Sequence, residues 1–363
     1  MMEKTNMSVR FVHTGAIIIA LFPFFNGETK GQCPQFLSGS QVGIINNRSL
    51  DEISGIAASR KNIDVFWAHN DSGAHAQVWA FNTQGAHLGI YNLANANNND
   101  WEDMAIGPGP DPNKDYLYIS DMGNNDGLTN HTYSIYRVPE PNVSAGQKPV
   151  NVELNNVDTF PVKYPDSLRH DCETMMVDVN GDIYLCTRDR WNDDHGVMRV
   201  YRYPASQHTP GVAYTLRHVT DVQLIDLSAN KRPNWEMAVG GDISLNGNLV
   251  IIRTKPKRYD KTAPQRILLW QRRPGTNLWD AFDNPMCVVP SLWEPQGEAI
   301  CFDANGCGYY TISEGRCQPI YYFARDGQCP ASPGDLDIAQ AGGNGIINMN
   351  DLGLLADNWF WEK

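Results

Sequence analysis

The sequence predicts an all-β chain closed into a ring of five blades, a five-bladed β-propeller, and three observations predict it. One short segment recurs five times, as "LDEISGIAAS", "DWEDMAIGPG", "DCETMMVDVN", "NWEMAVGGDI" and "QGEAICFDAN", which is the self-similarity of a repeat architecture. Each copy is followed by two more apolar runs of strand length. One strand is left over at the start of the ring and one is missing at its end, so both needs are met if the two ends share a sheet.

The elements justify this in order. The recurring segment is the first strand of each unit. The second reads "VFWAHND", "YLYISD", "IYLCTRD", "LVIIRTK" and "YYTISE", and the third reads "QVWAFN", "YSIYRVP", "MRVYRYP", "RILLWQR" and "PIYYFAR". Such runs, rich in Val, Ile, Tyr, Phe and Trp, suit pleated and half-buried surfaces. "DVNGD", "SLNGN" and "DANGC" mark hairpins between the first two strands. A fourth strand follows in "HLGIYNL" and "VTDVQLI"; the fifth unit lacks one, and "QVGIINN" (41–47) supplies it. A six-bladed ring would need a further blade inside the long interval from Glu102 to Glu173.

With 363 residues, 42% hydrophobic and only 19% charged, the chain can bury the core of one large β domain. Its formal charge of -12 excludes a nucleic-acid partner, which needs a basic face, and favours cations or neutral ligands. Lys4 and Arg10 precede the apolar run "AIIIALFPFF" (16–25), too short to span a bilayer and fitting a secretory signal. The expected division is a signal peptide at 1–31, the propeller at 32–329 and a tail at 330–363. The mature chain would then lie outside the cell, or in a periplasm, with no transmembrane span. Eight cysteines without zinc spacing point to disulfides. By position Cys33 and Cys329 would staple the ends of the ring; local pairs such as Cys301 with Cys307 are the alternative.

In a ring of this kind the first strands line the centre, so Glu52, Glu102, Glu173, Glu236 and Glu298 are expected to converge. Two carboxylates about 5 Å apart at an effective dielectric of about 20 repel by roughly 3 kcal/mol, so a compensating cation is required or some are protonated. The second strands end at the same mouth with Asn70, Asp121, Arg188, Thr254 and Glu314, and His69, Asp71, Asp189, Arg253 and Lys255 stand beside them. An oxygen-only ligand set, the five glutamates with Asp121, suits a divalent cation, calcium first and magnesium second. Arg188, Arg253, Lys255, His69 and Asn70 are candidate anion or substrate contacts, although "HNDSG" also fits an Asx turn. The competing reading of the glutamates is blade tying, in which each accepts neighbouring strand N–H groups or pairs with Arg.

"EISGIAASRKNIDVFWAHNDSG", "NNDWEDMAIGPGPD" and "YLYISDMGNN" resemble a family of exported β-propeller proteins whose activity is not established, over most of residues 50–325. In pattern alone, "EISGIA", "WEDMAI" and "GEAICF" are similar to the channel strands of soluble calcium-activated nucleotidases. Lactonases of the senescence-marker type also set Glu, Asn and Asp around one divalent ion. Both likenesses imply a cation at the glutamates. The stretch "PGDLDIAQAGGNGIINMNDLGLLADNW" resembles one dockerin repeat, with Asp335, Asp337, Asn344, Asn348 and Asp351 as its calcium-loop residues. It departs from that pattern by about five extra residues and by Asp at the last ligand position. The likeness implies attachment to a cohesin-like or cell-surface partner.

No G-x-S-x-G, H-E-x-x-H or P-loop motif is present. Two functions are therefore expected, in this order: an extracellular binding or scaffold protein holding a divalent cation, or a calcium-dependent hydrolase of phosphoesters, nucleotides or lactones at the channel mouth.

Overall fold

The computed structural model describes residues 33–124, 133–166, 168–188, 196–226, 234–256 and 265–327. The expected signal segment and the tail, with Asp335, Asp337, Asn344, Asn348 and Asp351, lie outside the described residues, as does Asp189.

Five sheets form a closed ring. The inner strands of blades one to five are Ile53–Ala58, Trp101–Pro108, Cys172–Val177, Asn234–Ile243 and Gly297–Phe302. Each packs against the next, and the last returns to the first. Blade one continues outward through Val65–Asn70, Gln77–Asn82 and His87–Leu93, all antiparallel. Blade five is closed by Ser40–Ile44, which pairs antiparallel with Pro319–Ala324. The leftover strand of the sequence is thus the missing strand of the last sheet, and the exposed edge it would have left is covered.

The long interval between Glu102 and Glu173 holds an excursion rather than a sixth blade. After the third strand of blade two, Tyr133–Pro139, the chain returns to blade one and adds Val150–Leu154 as a parallel fifth strand beside His87–Leu93. Glu140 fastens it: its Oε1 accepts hydrogen bonds from Trp67 Nε1 (2.8 Å) and Asn62 Nδ2 (2.9 Å). The chain then re-enters blade two through Asp158–Lys163. Tyr214–Thr215 adds a second parallel edge strand there.

The core is divided into wedges between adjacent blades. Trp67, Trp101 and Leu117 fill the wedge between blades one and two; Tyr118, Met175 and Tyr201 that between two and three; Tyr184, Val250 and Trp270 that between three and four. Ile251, Ile300 and Tyr309 lie between four and five, and Phe66, Ala299 and Ile312 between five and one. Because both faces of every central strand are buried, these strands are apolar on both sides instead of alternating.

The expected staple is corrected. Cys33 bonds Cys287, with a Cα–Cα distance of 5.7 Å, and not Cys329. Cys287 begins the outer strand of blade four, Cys287–Val289. The segment from Cys33 runs past it before joining blade five, so the bridge ties the entering chain to the neighbouring blade. Cys301 and Cys307 do not pair: Cys301 faces the core as a free thiol, and Cys307 is disulfide-bonded elsewhere.

Candidate cation site at the mouth of the ring

Every inner strand carries a β-bulge near its start, and the bulges decide which residues are equivalent. Cys172 pairs with Thr187 and Thr174 with Cys186, which leaves Glu173 as the extra residue. Gly297 and Ala299 flank Glu298 in the same way, and Trp101 pairs with Asp121 just before Glu102. The extra residue of a bulge stands outside the strand register, which re-aims its side chain. Glu102, Glu173 and Glu298 are therefore true equivalents. In blade one the same slot falls to Ser54, following the Ile53–Asn70 pair, and in blade four to Val239, between Ala238 and Gly240.

Convergence of all five glutamates is thus corrected to convergence of three. Glu52 lies two residues before the slot and is exposed. Glu236 lies three residues before it, where Thr254 Oγ1 donates to its carboxylate at 2.7 Å and Arg266 stands 3.9 Å away. Ser54, in the slot Glu52 was expected to fill, donates its hydroxyl to the Glu102 carbonyl and stands 3.4 Å from Glu298 Oε2.

Two acidic groups meet at Glu102. Oxygens of Asp71, Asp100 and Glu102 lie within 4.8 Å of one another, and so do oxygens of Glu102, Asp171 and Glu173. Glu102 is 1% exposed, and its Oε1 has no hydrogen-bond partner among the described residues. Burial, with Glu173 and Asp71 close by, pushes its carboxyl well above the usual range. Glu173 is raised too, first by burial and then by Asp171 and Glu298, against the opposing pull of Arg188. Arg188 contacts Glu173 and reaches Asp171 Oδ2 at 2.9 Å. Burial raises Glu298 as well, but Lys255, in contact with it, and Arg188 outweigh this and hold it below the usual range. Asp71 is pushed up to about 7, by burial and then by Glu298 and Asp100.

Backbone contacts build this mouth. The N–H groups of Asp71, Arg188 and Glu314, each the residue after a second strand, donate to the carbonyls of Glu52, Asp171 and Gln296 at 2.7–2.9 Å. Position for position, Asp71, Arg188, Lys255 and Glu314 are equivalents, so the mixed sign of the mouth is one ring position read in different blades. Gly123 fills a special place: a Cβ there would collide with Glu102 Oε1 and with Asp100. Glycine lets the chain pass directly beside the two carboxylates.

No family model matches this chain, and no curated protein matches it. The chemistry of the site is read from its own geometry.

Several expected site residues make contacts within the fold. Asp121 Oδ1 accepts the Asp100 N–H at 2.8 Å and Oδ2 accepts Asn99 Nδ2 at 2.7 Å, so it shapes the turn that presents Asp100. Asn70 Oδ1 accepts the Glu52 N–H at 3.2 Å and its Nδ2 donates to Ser49 O at 2.7 Å, so it ties the segment before the first inner strand rather than closing a local Asx turn. His69 is fully buried and edge-on to Trp101, and burial lowers its pKa to about 4, so it stays neutral. Arg253, expected at the mouth, is 1% exposed and reaches into blade five. It donates to Ala299 O (3.0 Å), Ile312 O (3.2 Å) and Gln265 Oε1 (2.8 Å) and contacts Glu294. An arginine so placed is an inter-blade tie.

Blade tying by carboxylates also exists: Lys255 of blade four contacts Glu298 of blade five, and aspartates accept strand N–H groups across blades. Asp103 Oδ2 accepts the N–H groups of Met175 in blade three (3.0 Å) and Gly241 in blade four (3.3 Å), and Oδ1 accepts that of Met104 (2.8 Å). Asp242 Oδ2 accepts the Phe302 N–H of blade five at 2.8 Å. Asp100 and Asp171, absent from the expected ligand set, stand two residues before Glu102 and Glu173. The shared D-x-E spacing of "DWE" and "DCE" was the signal for them.

Proposed function

We propose that this protein is an exported propeller that binds a divalent cation, calcium before magnesium, at the mouth of its ring and presents that mouth to an extracellular ligand. The observation that carries the reading is Glu102 Oε1, buried without a partner where carboxylates from three blades approach one another. A buried carboxylate oxygen left unsatisfied costs several kcal/mol, and hard oxygen donors in this number suit calcium. Glu102 with Asp71 and Asp100 would hold the ion, with Glu173 beside Glu102. Export is supported by the apolar run 16–25 and by the Cys33–Cys287 bridge, which persists in oxidising compartments. The tail 330–363 would serve as the attachment device.

The binding reading is favoured over hydrolysis by the state of the cationic side chains. Arg188 and Lys255, which an anionic substrate would need, already contact Asp171, Glu173 and Glu298. The test is calcium titration by calorimetry of chelator-treated protein, with thermal unfolding alongside. Binding that raises the melting temperature and is lost in the Glu102→Gln/Glu173→Gln double variant supports the reading. An unchanged affinity in that variant overturns it.

A further inference from the structure

We infer that Cys307 is joined to Cys329 in a second disulfide, which clamps the root of the tail to the end of the ring opposite the mouth, so that attachment through the tail leaves the mouth facing outward. The orientation rests on the attachment role proposed above; the bond does not. Of the eight cysteines, Cys33 and Cys287 form one bridge, Cys307 belongs to another, and Cys172, Cys186, Cys301 and Cys317 are free thiols. Cys329 is what remains to pair with Cys307.

Geometry reaches the same pair independently. Cys307 lies in the turn between the inner strand Gly297–Phe302 and the second strand of blade five, Gly308–Ser313, at the end where the inner strands finish. The third strand, Pro319–Ala324, returns to that end: Gly308 pairs with Ala324, the Arg325 N–H donates to Cys307 O at 2.7 Å, and the Asp326 N–H donates to Gln35 O at 2.8 Å. Cys329 follows Arg325 by four residues, at most about 14 Å of chain, and a disulfide needs its Cα atoms about 4.4–6.8 Å apart. Cys317 stands at the other end, in the turn whose Gly315 N–H donates to Asp51 O, and the 6 residues of Gly308–Ser313 set the two ends about 20 Å apart. Cys301, Cys172 and Cys186 are buried in the core wedges. With Phe36 bridged to Arg325, both ends of the described ring leave from the face opposite Glu102. In forming the bond the two thiols release two protons and pass two electrons to a disulfide-bearing oxidant of the export compartment, which departs as a dithiol.

The bond is tested on unreduced full-length protein, alkylated, cut with trypsin and with a protease that cleaves before aspartate, and mapped by mass spectrometry. "DANGCGYYTISEGR", which holds Cys307, should be found linked to "DGQCPASPG", which holds Cys329, while "CQPIYYFAR", with Cys317, should be alkylated. Alkylated Cys329, or Cys329 linked to any other cysteine, overturns the bond. Orientation is read from Cys317, the exposed thiol at the mouth end. The chain is biotinylated at its C-terminus, held on streptavidin beads and treated with a bulky polyethylene glycol maleimide. An unchanged labelling rate relative to the free chain supports the outward mouth, and a slowed rate overturns it. Neither measurement depends on what the tail binds. If deletion of residues 330–363 leaves sedimentation of the protein with its producing cells unchanged, the attachment role falls, the orientation with it, and the bond stands.

Discussion

Glu102 and Asp103 are neighbours in one bulge, both buried acids, and their surroundings are opposite. Asp103 looks inward, and its two oxygens collect three backbone N–H groups from three blades. Glu102 looks to the mouth and keeps an oxygen with no partner. Both carboxyls are raised, and burial is the first cause in each, but only Glu102 has other carboxylates as the next. Burying an acid is thus tolerated for two different reasons along one strand. At Asp103 the protein supplies the donors, and at Glu102 it leaves the donor to come from outside.

The sharpest way to break this comparison is to remove each acid in turn. Asp103→Ala strips three buried N–H groups of their acceptor, and each orphaned group costs about 1–3 kcal/mol. A loss of at least about 3 kcal/mol is expected in urea unfolding, with calcium unable to restore it. Glu102→Gln should go the other way without calcium. Relief of repulsion that amounts to roughly 3 kcal/mol per close pair should stabilise the apoprotein by about 1–2 kcal/mol, while calcium no longer raises its melting temperature. A Glu102→Gln apoprotein less stable than wild type would mean that the carboxylate is satisfied and serves the fold.

The pH profile gives a smaller effect. Asp71 titrates near 7 in the folded chain, well above an ordinary aspartate, because burial penalises its charged form. A raised folded pKa contributes stability that is complete below the unfolded value, about 4, and is lost as pH rises through about 7. Apoprotein melting temperature should therefore fall between about pH 4 and about pH 7, and saturating calcium should flatten the decline. The inner aspartate Asp242, at about 6, contributes a slope of the same sign that calcium leaves in place. The smallest change is Gly123→Ala, whose methyl would press on Glu102 and Asp100. Calcium affinity should drop about tenfold, roughly 1.4 kcal/mol, with the fold intact by circular dichroism.

The number of blades was legible because each unit repeats the same strand order, and the closing strand because "QVGIINN" had no other sheet to join. The mouth was legible in outline only. Matching the units by their glutamate letters placed Glu52 and Glu236 in a slot that the bulge register assigns to Ser54 and Val239. A bulge adds one residue to one strand, and nothing in the letters marks which residue it is. Arg253 misled for a related reason: it sits one residue from the mouth, and in a strand one residue reverses the facing side, so it enters the blade interface. Lys255, two residues on, does reach the mouth.

Ring closure has a temporal side. Ser40–Ile44 emerges early, yet its partner Pro319–Ala324 comes almost at the end of the described chain. Throughout synthesis the first strand has no edge to join, and the fifth sheet cannot be finished until nearly every blade exists. Contacts so distant in sequence are slow to form and leave open strand edges exposed meanwhile. Cys33 and Cys287, 254 residues apart, likewise meet only after four blades have been made.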